Sequence, residues 1–131
     1  QLRGQHTIDE PIGNAKHTRF RSTVSREGRP ATTFVRAQQH YRDDGHDYTL
    51  VYVRPETSRM HQIRAHLDWY GHPVIGDRLY GSGRQHLLRD RLFLHLSVLQ
   101  FQHPESDLEL KIESPLPPEL HSILTYMRRP K

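Results

Sequence analysis

The chain has no cysteine. That excludes disulfides and thiolate metal sites, and it fits a reducing compartment. Long apolar runs are missing as well: the longest is about four residues, Leu50 to Val53, against the roughly 20 needed for a membrane-spanning helix. No membrane partner is therefore expected. The opening residues carry no signal-peptide pattern, so the expected setting is intracellular, with cytoplasm, nucleus and organelle undistinguished. There is no HExxH motif, no P-loop, no dinucleotide fingerprint and nothing that reads as a Ser/His/Asp triad. Repeats, low-complexity tracts and linkers are also lacking, and residues 1–131 are expected to form part of one domain.

What the chain does have is charge. Apolar residues make up 34% and charged residues 26%. This is polar for a globule, yet the patterning is too regular for disorder. Net charge is +4 and the pI is near 9.7. Arginine greatly outnumbers lysine, and the guanidinium fork suits phosphate because it binds it bidentately. The eleven histidines raise the question of a metal. His61 and His66 are five apart, which on a helix separates them by roughly 140°. They are expected as polar surface or hydrogen-bonding residues, with no metal site.

Taken in order, residues 1–18 read as loop, with Pro11, Gly13 and Asn14 as turn signals. Phe20 to Ser25 reads as a short strand and Ala31 to Tyr41 as a longer one. Asp43-Asp44-Gly45 is a hairpin signal. Tyr48 to Val53 is apolar on both faces, as a central buried strand would be. Ser82 to Arg91 holds at most a short helix. Arg91 to Gln102 and Leu108 to Glu113 read as strands joined by a turn-rich link. Pro117 or Pro118 starts a last helix whose apolar face is Leu120, Ile123, Leu124 and Met127. The fold class expected is α+β, a mostly antiparallel sheet with a few helices.

The densest stretch is residues 54–81, RPETSRMHQIRAHLDWYGHPVIGDRLYG. Thr57 or Ser58 is placed to cap a helix. Met60, Ile63, Leu67 and Tyr70 follow at helical period. Gly71 suits the left-handed position that ends a helix, and Pro73 prevents continuation. Arg64 lies beside the apolar stripe, where an unpaired charge is costly. It has three readings: a solvated charge paired with Asp68, a phosphate contact, or the buried partner of a catalytic carboxylate. Arg59 at the helix start opposes the helix dipole, so it either contacts an anion or is simply exposed. His61 and Gln62 are candidates for hydrogen bonds to backbone or RNA. Gly76 and Asp77 read as a structural turn.

SRMHQIRAHLDWYGHPVIGDRLYG resembles the signature of RluA-type RNA pseudouridine synthases, usually GRTHQIRVHL, then GHPIVGD and LYG. Upstream, LRGQHTIDEPIG and GRPATTFV resemble that family's G-x-IDAPIG and GKPAxT segments. Downstream, RLFLHLSVLQFQHP and SPLPPEL resemble RLxLHAxxLxFxHP and APLPxDL. The blocks run in order from about Leu2 to about Leu124. Ser58 replaces the usual Gly, Met60 the usual Thr and Leu96 the usual Ala.

The resemblance implies the C-terminal portion of a pseudouridine synthase fold, acting on uridine in structured rRNA or tRNA without a cofactor. It also implies that Arg64, which closes HQIR, pairs with the essential aspartate. That aspartate belongs to an HRLD-type segment, and a base-stacking tyrosine to a KxYxA-type segment. Neither occurs here, and no Arg-Leu-Asp tripeptide exists in the chain. The expected partner is therefore the N-terminal part of the domain, in cis or in another chain. Arg64 is then the catalytic candidate, and Arg59, His61 and Gln62 are RNA-binding candidates. The alternative is a non-catalytic RNA-binding or scaffolding module derived from the same fold.

Overall fold

The two longest strands form where β-branched and aromatic residues concentrate. β4 (Thr32–Asp43) and β5 (His46–Pro55) are joined by a tight turn in which Asp44 and Gly45 have φ of 47° and 74°. Positive φ at both central residues matches the strand twist, so the Asp-Gly signal is realised as a hairpin. The computed structural model describes residues 1–16, 20–81 and 87–128. Contacts divide the chain into two compact units, Gln1–Leu92 and Phe93–Lys131.

In the first unit, β1 (Gln5–Asp9) pairs antiparallel with β4, giving a three-stranded sheet of order β1-β4-β5. A bulge lies between Ala37 and Gln39. β2 (Ile12–Asn14) and β3 (Ser22–Val24) form a second, two-stranded sheet. The loop expected over residues 1–18 is thus partly strand: Pro11 and Asn14 punctuate two short strands, whose pairing partners lie too far along the chain for local pattern to show. β5, expected as a central strand, is an edge strand, and β4 is central.

α1 (Gln62–Trp69) packs against β3 and, less extensively, against β4 and β5 of the three-stranded sheet. Leu2, Ile8, Val35 and Leu67 form one buried cluster, with Val51, Val53, Ile63 and Val74 against it. Ile12, Ala31, Ala65 and Tyr80 form another. A side chain such as Ile8 contributes roughly 1.5–3 kcal/mol when fully buried.

The helix begins later than its sequence suggests. The Thr57 hydroxyl accepts from the Thr32 N–H (3.0 Å) and donates to Gln62 Oε1 (2.8 Å), so it ties two segments together and caps nothing. His61 occupies the N-cap with φ of 53° and no side-chain cap. The apolar stripe also needs correction. Met60 is 45% exposed and Tyr70 37% exposed, while the buried positions are Gln62, Ala65, His66 and Leu67. The stop is as expected. Gly71 has φ of 85°, its N–H donates to the Asp68 carbonyl, and His72 N–H donates to that of Leu67.

The second unit holds β6 (Val98–Gln102) and β7 (Glu109–Glu113), an antiparallel pair, and α2 (Pro118–Met127). Strand structure starts at Val98, later than Arg91. Leu120, Leu124 and Met127 are buried, and Pro118 lies in the first turn of its helix. Part of the segment from Ser82 to Arg91, where a short helix was expected at most, lies outside the described residues. Mixed helix and antiparallel sheet confirm the α+β class.

Candidate active site

The site is built by the start of α1 and the loop after it. Arg64, in the first turn of α1, forms a two-point ion pair with Asp77. Its Nε donates to Oδ2 and an Nη to Oδ1, each at 2.8 Å. The Arg64 side chain is 17% exposed and that of Asp77 fully buried. Asp77 also accepts from the backbone N–H groups of Leu79 (3.0 Å) and Tyr80 (3.1 Å) through Oδ1. Burial alone would push the Asp77 carboxyl up, but the hydrogen bonds from Arg64, Tyr80 and Leu79 outweigh it and hold it below the usual carboxylate range.

Asp77 is therefore both the turn residue expected and the partner of Arg64. The acid that the sequence offered within the chain was Asp68; the structure gives Asp77 instead. Local pattern could not show it, because the Gly76-Asp77 turn folds the loop back onto the helix from thirteen residues away. Asp68 does not pair with Arg64; it lies 4.0 Å from Arg21. The pair with Asp77 occupies Nε and one Nη. The outer edge of the guanidinium has no hydrogen-bond partner among the described residues.

Tyr80 lies beneath this pair and is absent from the sequence-based candidates. Its ring centroid is 5.0 Å from the Arg64 guanidinium carbon and 5.2 Å from that of Arg21. Its hydroxyl accepts from the Ser22 N–H at 2.8 Å and lies 3.1 Å from His61 Nδ1. Burial, and then the charge of Arg64, lower the His61 pKa from its usual value. The LYG block was the available signal: an aromatic residue three positions after a buried acid.

The remaining candidates separate. Arg59 precedes the helix and donates through Nε to the Pro30 carbonyl at 2.9 Å. Gln62 is buried and uses both ends of its amide inside the protein. Oε1 accepts from Thr57 and from Arg59 N–H, and Nε2 donates to the Thr32 carbonyl and the Thr33 hydroxyl. The geometry places it in the frame that holds the start of α1.

His66, expected as a polar surface or hydrogen-bonding residue, is fully buried. Its Nε2 reaches the Glu10 carbonyl at 2.8 Å, and a carbonyl only accepts, so Nε2 carries the proton. Nδ1 then accepts from the Thr33 hydroxyl at 2.8 Å. No group of three or more potential metal ligands occurs among the described residues.

No protein-family model matches the chain. Individual proteins do. An uncharacterized RNA pseudouridine synthase of Chloroflexus aurantiacus is 43% identical over 124 residues, covering 93% of this chain and 37% of that protein. An uncharacterized RNA pseudouridine synthase of Bacillus subtilis is 37% identical, covering 94% of this chain and 39% of the relative. The ribosomal large subunit pseudouridine synthase D of Escherichia coli is 35% identical, covering 93% and 40%. Among solved structures, human RNA pseudouridylate synthase domain containing 1 superposes with a TM-score of 0.73 at 28% identity, over 93% of this chain and 55% of that one. The chain thus spans 40% or less of these bacterial relatives. Sequence and fold together place it in the RNA pseudouridine synthase family, as the counterpart of part of those proteins' length.

Proposed function

We propose that these residues form part of an enzyme that isomerises uridine to pseudouridine in structured RNA inside the cell. The isomerisation breaks the bond between ribose and uracil N1, turns the base and joins it through C5. The C5 proton is lost, N1 gains one, and no cofactor is required. A uridine in structured RNA must first leave its stack to reach such a site. Ribosomal RNA is the favoured substrate class, because several relatives are named ribosomal large subunit pseudouridine synthases.

The observation that carries the proposal is the open outer edge of Arg64. Held from inside by Asp77, the guanidinium keeps a second fork for another carboxylate. The catalytic aspartate, on this reading, comes from outside these 131 residues and is kept ionised and oriented there. An opposite charge at that range lowers a carboxylate pKa by about 1–3 units. Arg59 and His61, at the helix start, remain the candidate RNA contacts, and the N-terminal part of a synthase domain, in cis or in trans, is the partner.

A second reading is a non-catalytic RNA-binding or scaffolding module. It is favoured by the same ion pair, since Arg64 is already satisfied within the chain. Tritium release from RNA labelled at uracil C5 separates the two. No release is expected from the 131 residues alone, and release is expected once a segment carrying the aspartate is supplied. Release by the chain alone would remove the need for an outside aspartate. No release in either arm favours the module.

A further inference from the structure

Several features around Arg64 converge on one side chain that the family reading of the chain leaves without a role. Tyr80 is 6% exposed, yet it buries a hydroxyl, and its ring faces two guanidinium groups. That hydroxyl accepts the Ser22 N–H. Its own proton has one acceptor among the described contacts, His61 Nδ1 at 3.1 Å. The two rings meet edge to face, with centroids 5.8 Å apart and planes at 89°.

His61 is also constrained from its backbone. Its φ is 53°, in a region where residues other than glycine are uncommon. The peptide before it is pinned by the Ser22 hydroxyl, which donates to the Met60 carbonyl at 2.6 Å. Ser22 thus holds both Tyr80 and the turn that carries His61. His61 precedes the helix and Arg64 lies in its first turn, and both flank the Tyr80 side chain.

We infer that Tyr80 is the positioning residue of this site: its ring backs the Arg64 guanidinium, and its hydroxyl sets His61 in the form protonated at Nε2. Asp77 fixes the guanidinium along one edge, and the ring restrains it out of plane. An arginine over an aromatic face gains electrostatically from the ring, more so when water is excluded. With Nδ1 occupied by the hydroxyl proton, His61 offers one N–H, at Nε2, and Arg64 offers its outer fork. The His61 N–H is a donor for a carbonyl or phosphate oxygen of a nucleotide, beside the Arg64 fork that is kept for the carboxylate. The inference rests on Arg64 being a site residue, but its central test does not require turnover.

Nitrogen-15 NMR of the labelled chain at neutral pH reads both halves. In the wild type, His61 shows a protonated Nε2 and a bare Nδ1, and the Arg64 Nε–H is protected from solvent exchange. Tyr80→Phe keeps the ring and removes the hydroxyl. His61 should then redistribute between its two tautomers while Arg64 protection is unchanged. Tyr80→Leu removes the ring, and Arg64 Nε–H exchange should rise by about fivefold or more, in line with about 1 kcal/mol for such a contact.

A His61 tautomer unmoved in Tyr80→Phe overturns the inference. So does unchanged Arg64 exchange in a folded Tyr80→Leu. If Tyr80→Leu does not fold, the Tyr80→Phe result decides alone. In an active assembly, Tyr80→Leu should lower kcat more than it raises KM, with Tyr80→Phe largely restored. An inactive wild-type assembly would defeat the synthase proposal and leave the NMR result standing.

Discussion

Asp77 accepts four hydrogen bonds, two from Arg64 and two from backbone N–H groups. Such a carboxylate is costly to replace. Asp77→Asn keeps the size but removes the charge, leaving Arg64 unpaired at low exposure. Breaking a buried ion pair from one side costs about 3–5 kcal/mol, so the urea midpoint should fall by a corresponding amount. The pH dependence has a definite sign. The Asp77 pKa is lowered by folding, so its contribution is fully present above the unfolded value of about 3.9 and is lost as pH falls through the lower folded value. Acid unfolding of Asp77→Asn should show a shallower loss in that window. Equal slopes in mutant and wild type would show that Asp77 is not held as described.

At the scale of elements, α1 is short and is held by a polar network as much as by its apolar side. Gln62 and His66, one turn apart, reach Thr32, Thr33, Thr57 and the Glu10 carbonyl. Gln62→Leu should destabilise even though it adds an apolar side chain. It strands the Arg59 N–H and the proton of the Thr57 hydroxyl, at about 1–3 kcal/mol for each group left unsatisfied. Thermal unfolding of Gln62→Leu at or above the wild-type midpoint would contradict that account. The loop after the helix depends on Gly76, whose φ is 80° and where an added Cβ would fall on the Arg91 carbonyl oxygen. Gly76→Ala should cost at least about 1–2 kcal/mol from the left-handed backbone alone. Because the loop carries Asp77, the Arg64 Nε–H should lose exchange protection in the same variant.

For the molecule as a whole, net charge of +4 with many arginines favours RNA through its phosphates. If about four phosphates are neutralised, log K should fall against log salt with a slope near −3 to −4, taking duplex DNA as a rough guide. Filter binding across a salt series measures this. A flat dependence, or no binding at low salt, would count against an RNA interface on this chain. Arg64→Ala should leave most of that slope in place, since its guanidinium faces Asp77 and Tyr80 rather than a phosphate array.

Short-range physics made several features legible in the chain itself. The Asp44-Gly45 hairpin, the glycine stop after α1, the proline start of α2 and the turn at Gly76-Asp77 all depend on the conformational limits of a few adjacent residues. The order of motif blocks carried the family, and Arg64 stood out because a charge beside apolar neighbours needs a partner. Other features were decided only by tertiary structure. The partner proved to be Asp77 because a loop returns to the helix. Gln62 and His66 turned inward because threonines of a distant strand met them there. Tyr80 entered the site because β3 brought Ser22 beneath its hydroxyl. Turns and caps follow from neighbours in sequence, whereas ion pairs and buried polar networks follow from where the chain comes back on itself.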